Sequence, residues 1–109
     1  MSDRPEIVFC YYRVRPGQEE ALVRLQHEHI ETLRKLDLIT EEPATLYRGA
    51  DERGLPFLVK FFTWRSPQAL DAAHQHPEVQ RHWEAMEPLC EDRDGRPGME
   101  FPHVERTVI

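Results

Sequence analysis

Seven residues of this chain have types and neighbours suited to chemistry: His29, Trp64, Tyr11, Tyr12, His82, Trp83 and His103. His29 interrupts a helical row of leucines, Leu22, Leu25, Leu33 and Leu36, so it faces apolar packing. An imidazole there is either a hydrogen-bonded core residue or a base for a phenol or an activated carbon acid. Burial is expected to lower its pKa below about 6.5, because the charged form loses solvation. Trp64 and Trp83 are read either as core or as the walls of an apolar pocket that stacks on an aromatic ligand. Strand alternation sends Tyr11 and Arg13 to one face and Tyr12 to the other, so one tyrosine hydroxyl points toward a pocket. His82 lies about 100° round a helix from Trp83, at the pocket rim or in solvent. His103, after Pro102, lines a pocket or a subunit contact.

Other groupings carry less. In His27-x-His29 and His74-x-His76 the two imidazoles point about 200° apart on a helix, so neither pair reads as a metal site. His76 is better explained as the helix cap before Pro77. Glu41-Glu42 reads as a solvated helix end. The sequence contains no nucleophile–base signature, phosphate loop or paired-carboxylate motif.

The elements that must position these residues follow from periodicity. Glu6 to Val14 alternates Ile7, Phe9 and Tyr11 against Val8, Cys10, Tyr12 and Val14, which predicts a strand that is apolar on both faces. A helix is expected from Gly17-Gln18 to about Leu38, stopped by Glu41-Glu42-Pro43. Ala44 to Ala50 and the strand from Pro56 to Trp64 form a hairpin over Asp51-Glu52-Arg53-Gly54. In the latter strand Phe57, Val59 and Phe61 share one face. Leu58, Phe62 and Trp64 share the other, with Lys60 the odd residue among them. Ser66-Pro67 caps a helix to about Gln75, and Pro77 begins another to about Cys90 in which Val79, Trp83, Met86 and Cys90 share a face. Asp92 to Gly98 is a loop. Met99 to Val108 is a last strand, which Pro102 assigns to an edge or a bulge.

The order strand, helix, strand, strand, helix, strand gives the α+β class: a ferredoxin-like βαββαβ fold with a four-stranded antiparallel sheet. Its length of 109 residues makes residues 1–109 one domain. Helices on one side leave the other apolar sheet face uncovered, and a symmetric homodimer packed sheet to sheet is the simplest cover. A formal net charge of −6, without basic clusters, argues against nucleic acid and anionic membrane as partners. Two distant cysteines, no apolar leader and no span of ~20 apolar residues fit a cytoplasmic protein.

The run FLVKFFTWRSPQAL followed by DAAHQHPEVQRHW resembles the dimeric α/β barrel superfamily, and within it the antibiotic-biosynthesis-monooxygenase-like proteins. Arg13-x-Arg15-Pro16-Gly17-Gln18-Glu19-Glu20-Ala21-Leu22 resembles the family's opening strand and helix, so the likeness extends over residues 6–107. It implies a homodimer that holds an oxidisable phenol, quinol or anthrone beside O₂ without metal or organic cofactor. The family's strand tryptophan corresponds to Trp64. An asparagine four residues earlier in some members corresponds to Lys60, and a glutamate two residues before the tryptophan to Phe62. The haem-degrading branch carries an asparagine on the first strand, a tryptophan early in the second helix and a histidine beyond it. This chain has no asparagine, Ala73 at the tryptophan position and His82-Trp83 near the histidine. The resemblance implies a cofactor-free monooxygenase; together with the spacing readings above, it makes His29 and Trp64 the candidate catalytic residues and Tyr11, Tyr12, His82, Trp83 and His103 the candidate substrate contacts. The alternatives are a non-catalytic ligand-binding or structural homodimer and a haem-binding or haem-degrading protein.

Overall fold

The computed structural model describes residues 4–109. β1 (Glu6–Arg13) leads into α1 (Glu19–Lys35), then the hairpin β2 (Thr45–Ala50) and β3 (Pro56–Trp64), then α2 (Pro67–Gln75), α3 (Pro77–Met86), β4 (Met99–Glu100) and β5 (His103–Val104). All pairings are antiparallel, in the order β2-β3-β1-β4, with β5 also on β1. This is the expected ferredoxin-like sheet. β4 and β5 continue one register against β1, since Tyr11 pairs Glu100 and Ile7 pairs Val104. Pro102 interrupts them: its carbonyl accepts from the Phe9 N–H at 2.9 Å, but a proline has no N–H to return the bond. The strand ends at Val104, short of the expected Val108.

Local chemistry fixes the other boundaries. Ser66 Oγ accepts from the Ala69 N–H, and His76 Nδ1 accepts from the Glu78 N–H, so each cap sits directly before its proline. α1 stops three residues before the expected Leu38. Asp37 adopts φ 60°, and the Leu38 N–H reaches back to the Leu33 carbonyl at 3.0 Å. That is a Schellman ending in which an aspartate takes the place usually held by glycine, with Leu33 and Leu38 in the apolar contact positions. The last helix also tightens early: α3 ends at Met86, and a 3₁₀ turn, Glu87–Leu89, leads to Cys90.

The pleat divides the central strands. Val8, Cys10, Tyr12, Leu58, Lys60, Phe62 and Trp64 are buried beneath the helices. Ile7, Phe9, Tyr11, Phe57, Val59 and Phe61 form the opposite face and are only half-buried. There Phe9 and Phe61 meet at 5.3 Å, and Phe57 stacks on Tyr11 at 5.3 Å. Gly49 lies opposite Phe57, and a side chain there would meet the ring at 2.7 Å, so the glycine lets the aromatic row lie flat. The buried face of α1 departs from the expected leucine row. Gln26 and Thr32 are buried with Leu22, His29 and Leu33, while Leu25 and Leu36 are half-buried. Thr32 donates to Glu78 and Gln26 donates to Met86 Sδ, so this face meets α3 as well as the sheet.

One buried guanidinium ties the start of β3 and the end of β1 to the loop after Cys90. Arg93 donates to the carbonyls of Val14 and Pro56 and to Glu91, with Asp51 nearby. Replacing it removes the donor to the buried Val14 carbonyl and leaves the Pro56 carbonyl with the Val14 N–H alone, so Arg93→Met should destabilise the fold by about 2–4 kcal/mol in urea denaturation. Arg93→Lys should recover only a fraction, because an ammonium lacks the planar fork that spans three acceptors. A midpoint unchanged in Arg93→Met would remove the clamp from the account.

Candidate functional site

Where β1 and β3 run beneath the helices, packing leaves a cavity of about 440 Å³. Protein interiors leave few voids larger than a water, whereas small-molecule sites typically occupy 300–1,000 Å³. Its floor is the buried face of the sheet: Val8, Cys10 and Tyr12 from β1, and Lys60, Phe62 and Trp64 from β3. His29 enters from α1, Leu70 and His74 from α2, and Trp83 from α3. Glu84, Glu87, Phe101 and His103 are exposed or half-exposed and stand at its mouth.

The aromatic walls interlock. Phe62 and Trp64 meet edge to face at 5.0 Å, and Trp83 contacts both His29, at 5.7 Å, and His74, at 5.1 Å. Of the residues singled out from sequence, the cavity brings together His29, Trp64, Tyr12, Trp83 and His103. Tyr11 is not among them. It has the opposite pleat and lies on the uncovered sheet face against Phe57, with the Arg13 guanidinium 4.7 Å from its ring centroid. His82 also does not line the cavity. It borders an outer groove with Glu78, and its ring meets the His29 ring at 5.5 Å. His103 pairs its Nδ1 with Glu6 at 3.4 Å.

Two buried bases define the electrostatics. His29 is 1% exposed, and its Nδ1 has no hydrogen-bond partner among the described residues. Burial, the nearby Lys60 charge and His82 lower its pKa to about 2, so the imidazole is neutral throughout the working range. Lys60 is 2% exposed, and its Nζ donates to Gln26 Oε1 at 2.5 Å. It also lies 5.3 Å from the Phe62 ring centroid and 5.6 Å from that of Tyr12. Burial lowers its pKa to about 8, partly opposed by Cys10. The Cys10 thiol and the Tyr12 phenol are both raised by burial, Tyr12 well above its ordinary value. At neutral pH the chamber therefore holds one ammonium, one neutral imidazole and a protonated thiol and phenol, all in aromatic surroundings.

Lys60 and Gln26 are the site residues that single-residue reasoning passed over. The signal for Lys60 was present: one cation in the otherwise apolar row Leu58, Phe62, Trp64. Gln26 had a weaker one, as it stands four residues from Leu22 and three from His29 on the same helical face.

No protein-family model matches the chain, and no curated protein matches it. Solved structures do. SnoaB, a cofactor-independent oxygenase from Streptomyces nogalater solved as an asparagine-to-alanine mutant, superposes with a TM-score of 0.71 at 14% identity, covering 99% of this chain and 97% of that one. An antibiotic biosynthesis monooxygenase gives 0.70 at 14% identity over 94% of this chain and 99% of its own. A dimeric ferredoxin-like protein of unknown function from Jannaschia sp. gives 0.63 at 19% identity over 94% and 99%. At these identities the likeness is one of fold.

The charges predict how stability varies with pH. The folded state resists protonating Lys60 relative to the unfolded chain, so its charge costs stability below pH 8, and the cost fades as pH rises toward 10.5. Lys60→Met should therefore be more stable than the parent at pH 7, by up to about 3 kcal/mol, and the gap should close between those two values. For His29 the folded pKa is also depressed, so protonation destabilises the fold as pH falls from 6.5 toward 2. His29→Gln should lose that part of the acid sensitivity. Denaturant titrations across pH that gave parallel curves for parent and variants would contradict both assignments.

Proposed function

We propose that this chain, which has the ferredoxin-like fold of the dimeric α/β barrels, is an oxygenase that works without metal or organic cofactor on a small electron-rich aromatic such as a phenol, quinol or anthrone. The observation that carries this reading is the aromatic chamber with a neutral imidazole inside it. The fold shared with a protein named a cofactor-independent oxygenase supports it.

The chemistry needs little from the protein. A proton leaves the substrate's acidic C–H or O–H, and the anion passes one electron to O₂. The substrate radical and superoxide join as a peroxide, and loss of water leaves a carbonyl. One oxygen atom enters the product and the other leaves as water, with both reducing equivalents supplied by the substrate. Orientation, deprotonation and exclusion of solvent are the protein's share. In this reading Trp64 and Trp83 hold the ring system, and neutral His29 accepts the hydrogen bond of the acidic group. An imidazole with a pKa of about 2 is a weak base, so His29 acts by directing the proton at the moment of transfer and does not retain it.

A second copy completes the molecule in the same proposal. The row Ile7, Phe9, Tyr11, Phe57, Val59 and Phe61, with Tyr47 57% exposed beside it, is an apolar sheet face without cover in the protomer. Face-to-face packing of two such sheets should bury at least ~2,000 Å². A related solved structure is described as dimeric. A second reading, a ligand-binding dimer without turnover, is favoured by Lys60 and Phe62, which stand where oxygenases of this fold are expected to carry an asparagine and a glutamate.

Oxygen uptake with a panel of anthrones and hydroquinones decides between the two. The oxygenase should consume one O₂ per substrate, with one labelled atom from ¹⁸O₂ in the product, and silence across the panel leaves the binding dimer. His29→Ala should lower turnover ~10²-fold or more while the fold persists. Full activity in His29→Gln would exclude proton transfer to this residue. Light scattering should give a dimer at micromolar concentration, and Phe61→Asp should yield monomer or insoluble protein. A parent that is monomeric would end the sheet-to-sheet arrangement.

A further inference from the structure

Lys60 has chemistry that the oxygenase reading leaves unused. Its ammonium is almost fully buried, yet no carboxylate among the described residues lies within ion-pair distance of it. An ammonium carries three donors, and Gln26 engages one. The polar groups around it are uncharged or distant. β1 presents the protonated Cys10 and Tyr12, and α1 presents Gln26 and neutral His29. His74, His103, Glu84 and Glu87 stand at the mouth. On the β2 side, Lys60 also lines a shallower depression of about 270 Å³ that includes His27, Glu31 and Arg34. A buried charge without a counter-charge is costly, and an anion seated beside it would relieve that cost. His29, in the same chamber, adds a buried Nδ1 that also lacks a partner.

We propose that the cavity holds its aromatic ligand as an anion, with a phenolate or enolate oxygen seated on the Lys60 ammonium. This deepens the oxygenase reading and rests on it for the aromatic character of the ligand. The mouth favours a phenol over a carboxylic acid. Glu84 and Glu87 oppose entry of a permanent anion, whereas a neutral phenol passes them and ionises inside. A delocalised phenolate also loses less hydration than a carboxylate on entering an aromatic chamber. On ionisation the O–H electron pair stays on oxygen. The proton goes to Lys60 where that amine is neutral, or to water at the mouth where it is already charged. Lys60 is thus a specificity-determining residue that selects ligands acidic enough to ionise beside it.

The test uses 4-nitrophenol, whose phenolate absorbs visible light and whose neutral form does not, and which consumes no oxygen. Bound to the parent protein, it should stay in the phenolate form to a pH at least one unit below its midpoint in buffer. Its methyl ether, 4-nitroanisole, and the permanent anion 4-nitrobenzoate should each bind at least ~10-fold more weakly. In Lys60→Met, checked for folding by its melting curve, the titration should return to that of the free dye and phenolate affinity should fall ~10-fold or more. Lys60→Arg should keep the acid shift. A bound dye that titrates as it does in buffer overturns the proposal, even if Lys60→Met fails to fold. Equal binding of the benzoate, or no binding of any probe, overturns it too. The two readings fail separately. Silence in oxygen uptake with the acid shift intact removes the oxygenase and leaves an anion-binding pocket, and turnover without the shift does the reverse.

Discussion

Every placement in this protein depends on the antiparallel pairing of β1 with β3. Eight residue pairs, from Glu6–Trp64 to Arg13–Phe57, lie in one unbroken register at the centre of the sheet. Because side chains alternate across the pleat, that register assigns each residue of both strands to one side. Tyr12, Lys60, Phe62 and Trp64 fall on the helix side and become the cavity floor. Tyr11, Phe57, Val59 and Phe61 fall on the other side and become an apolar surface. A slip of one residue would put Lys60 in the open and Phe61 in the chamber.

The helices turn this assignment into a site. α1 meets both the sheet and α3, and its inward face carries Gln26, His29 and Thr32 among leucines. That composition would be poor for a sealed core, because each polar group needs a partner when removed from water. Here Gln26 and Thr32 find their partners in Lys60, Met86 and Glu78, and His29 borders the chamber. Gln26 ties the cavity floor to α3, accepting from Lys60 with its carbonyl and donating to Met86 with its amide. The caps at Ser66 and His76 fix the short break between α2 and α3, and this break brings Leu70, His74 and Trp83 around one opening.

Inside the chamber one base acts on the other. The Lys60 charge is among the causes that hold His29 neutral, and burial lowers both pKa values. A single positive charge is therefore concentrated at Lys60, where surroundings of low polarity give it a long reach. A phenol that ionises inside would meet that charge directly, while the neutral imidazole adds no second charge. The division of labour comes from burial and separation, since neither residue has a carboxylate to fix its state.

The sequence alone determined the order of the elements, the two-sided character of β1 and β3, the hairpin between β2 and β3, the capped proline starts of α2 and α3, and the interruption at Pro102. These are local properties, governed by periodicity, capping and the missing N–H of proline. It also set Tyr11 and Tyr12 on opposite faces and put His29 on the buried face of α1. Which strand face the helices would cover was decided only by tertiary structure, because alternation fixes relative facing and says nothing about what lies above. The early end of α1 depended on an aspartate taking a left-handed conformation, a choice that Asp37 tolerates but does not announce. The pairing of Lys60 with Gln26, 34 positions apart, arises where β3 passes under α1. A lysine's burial and charge are set by the groups that surround it in space, and no spacing along the chain encodes them.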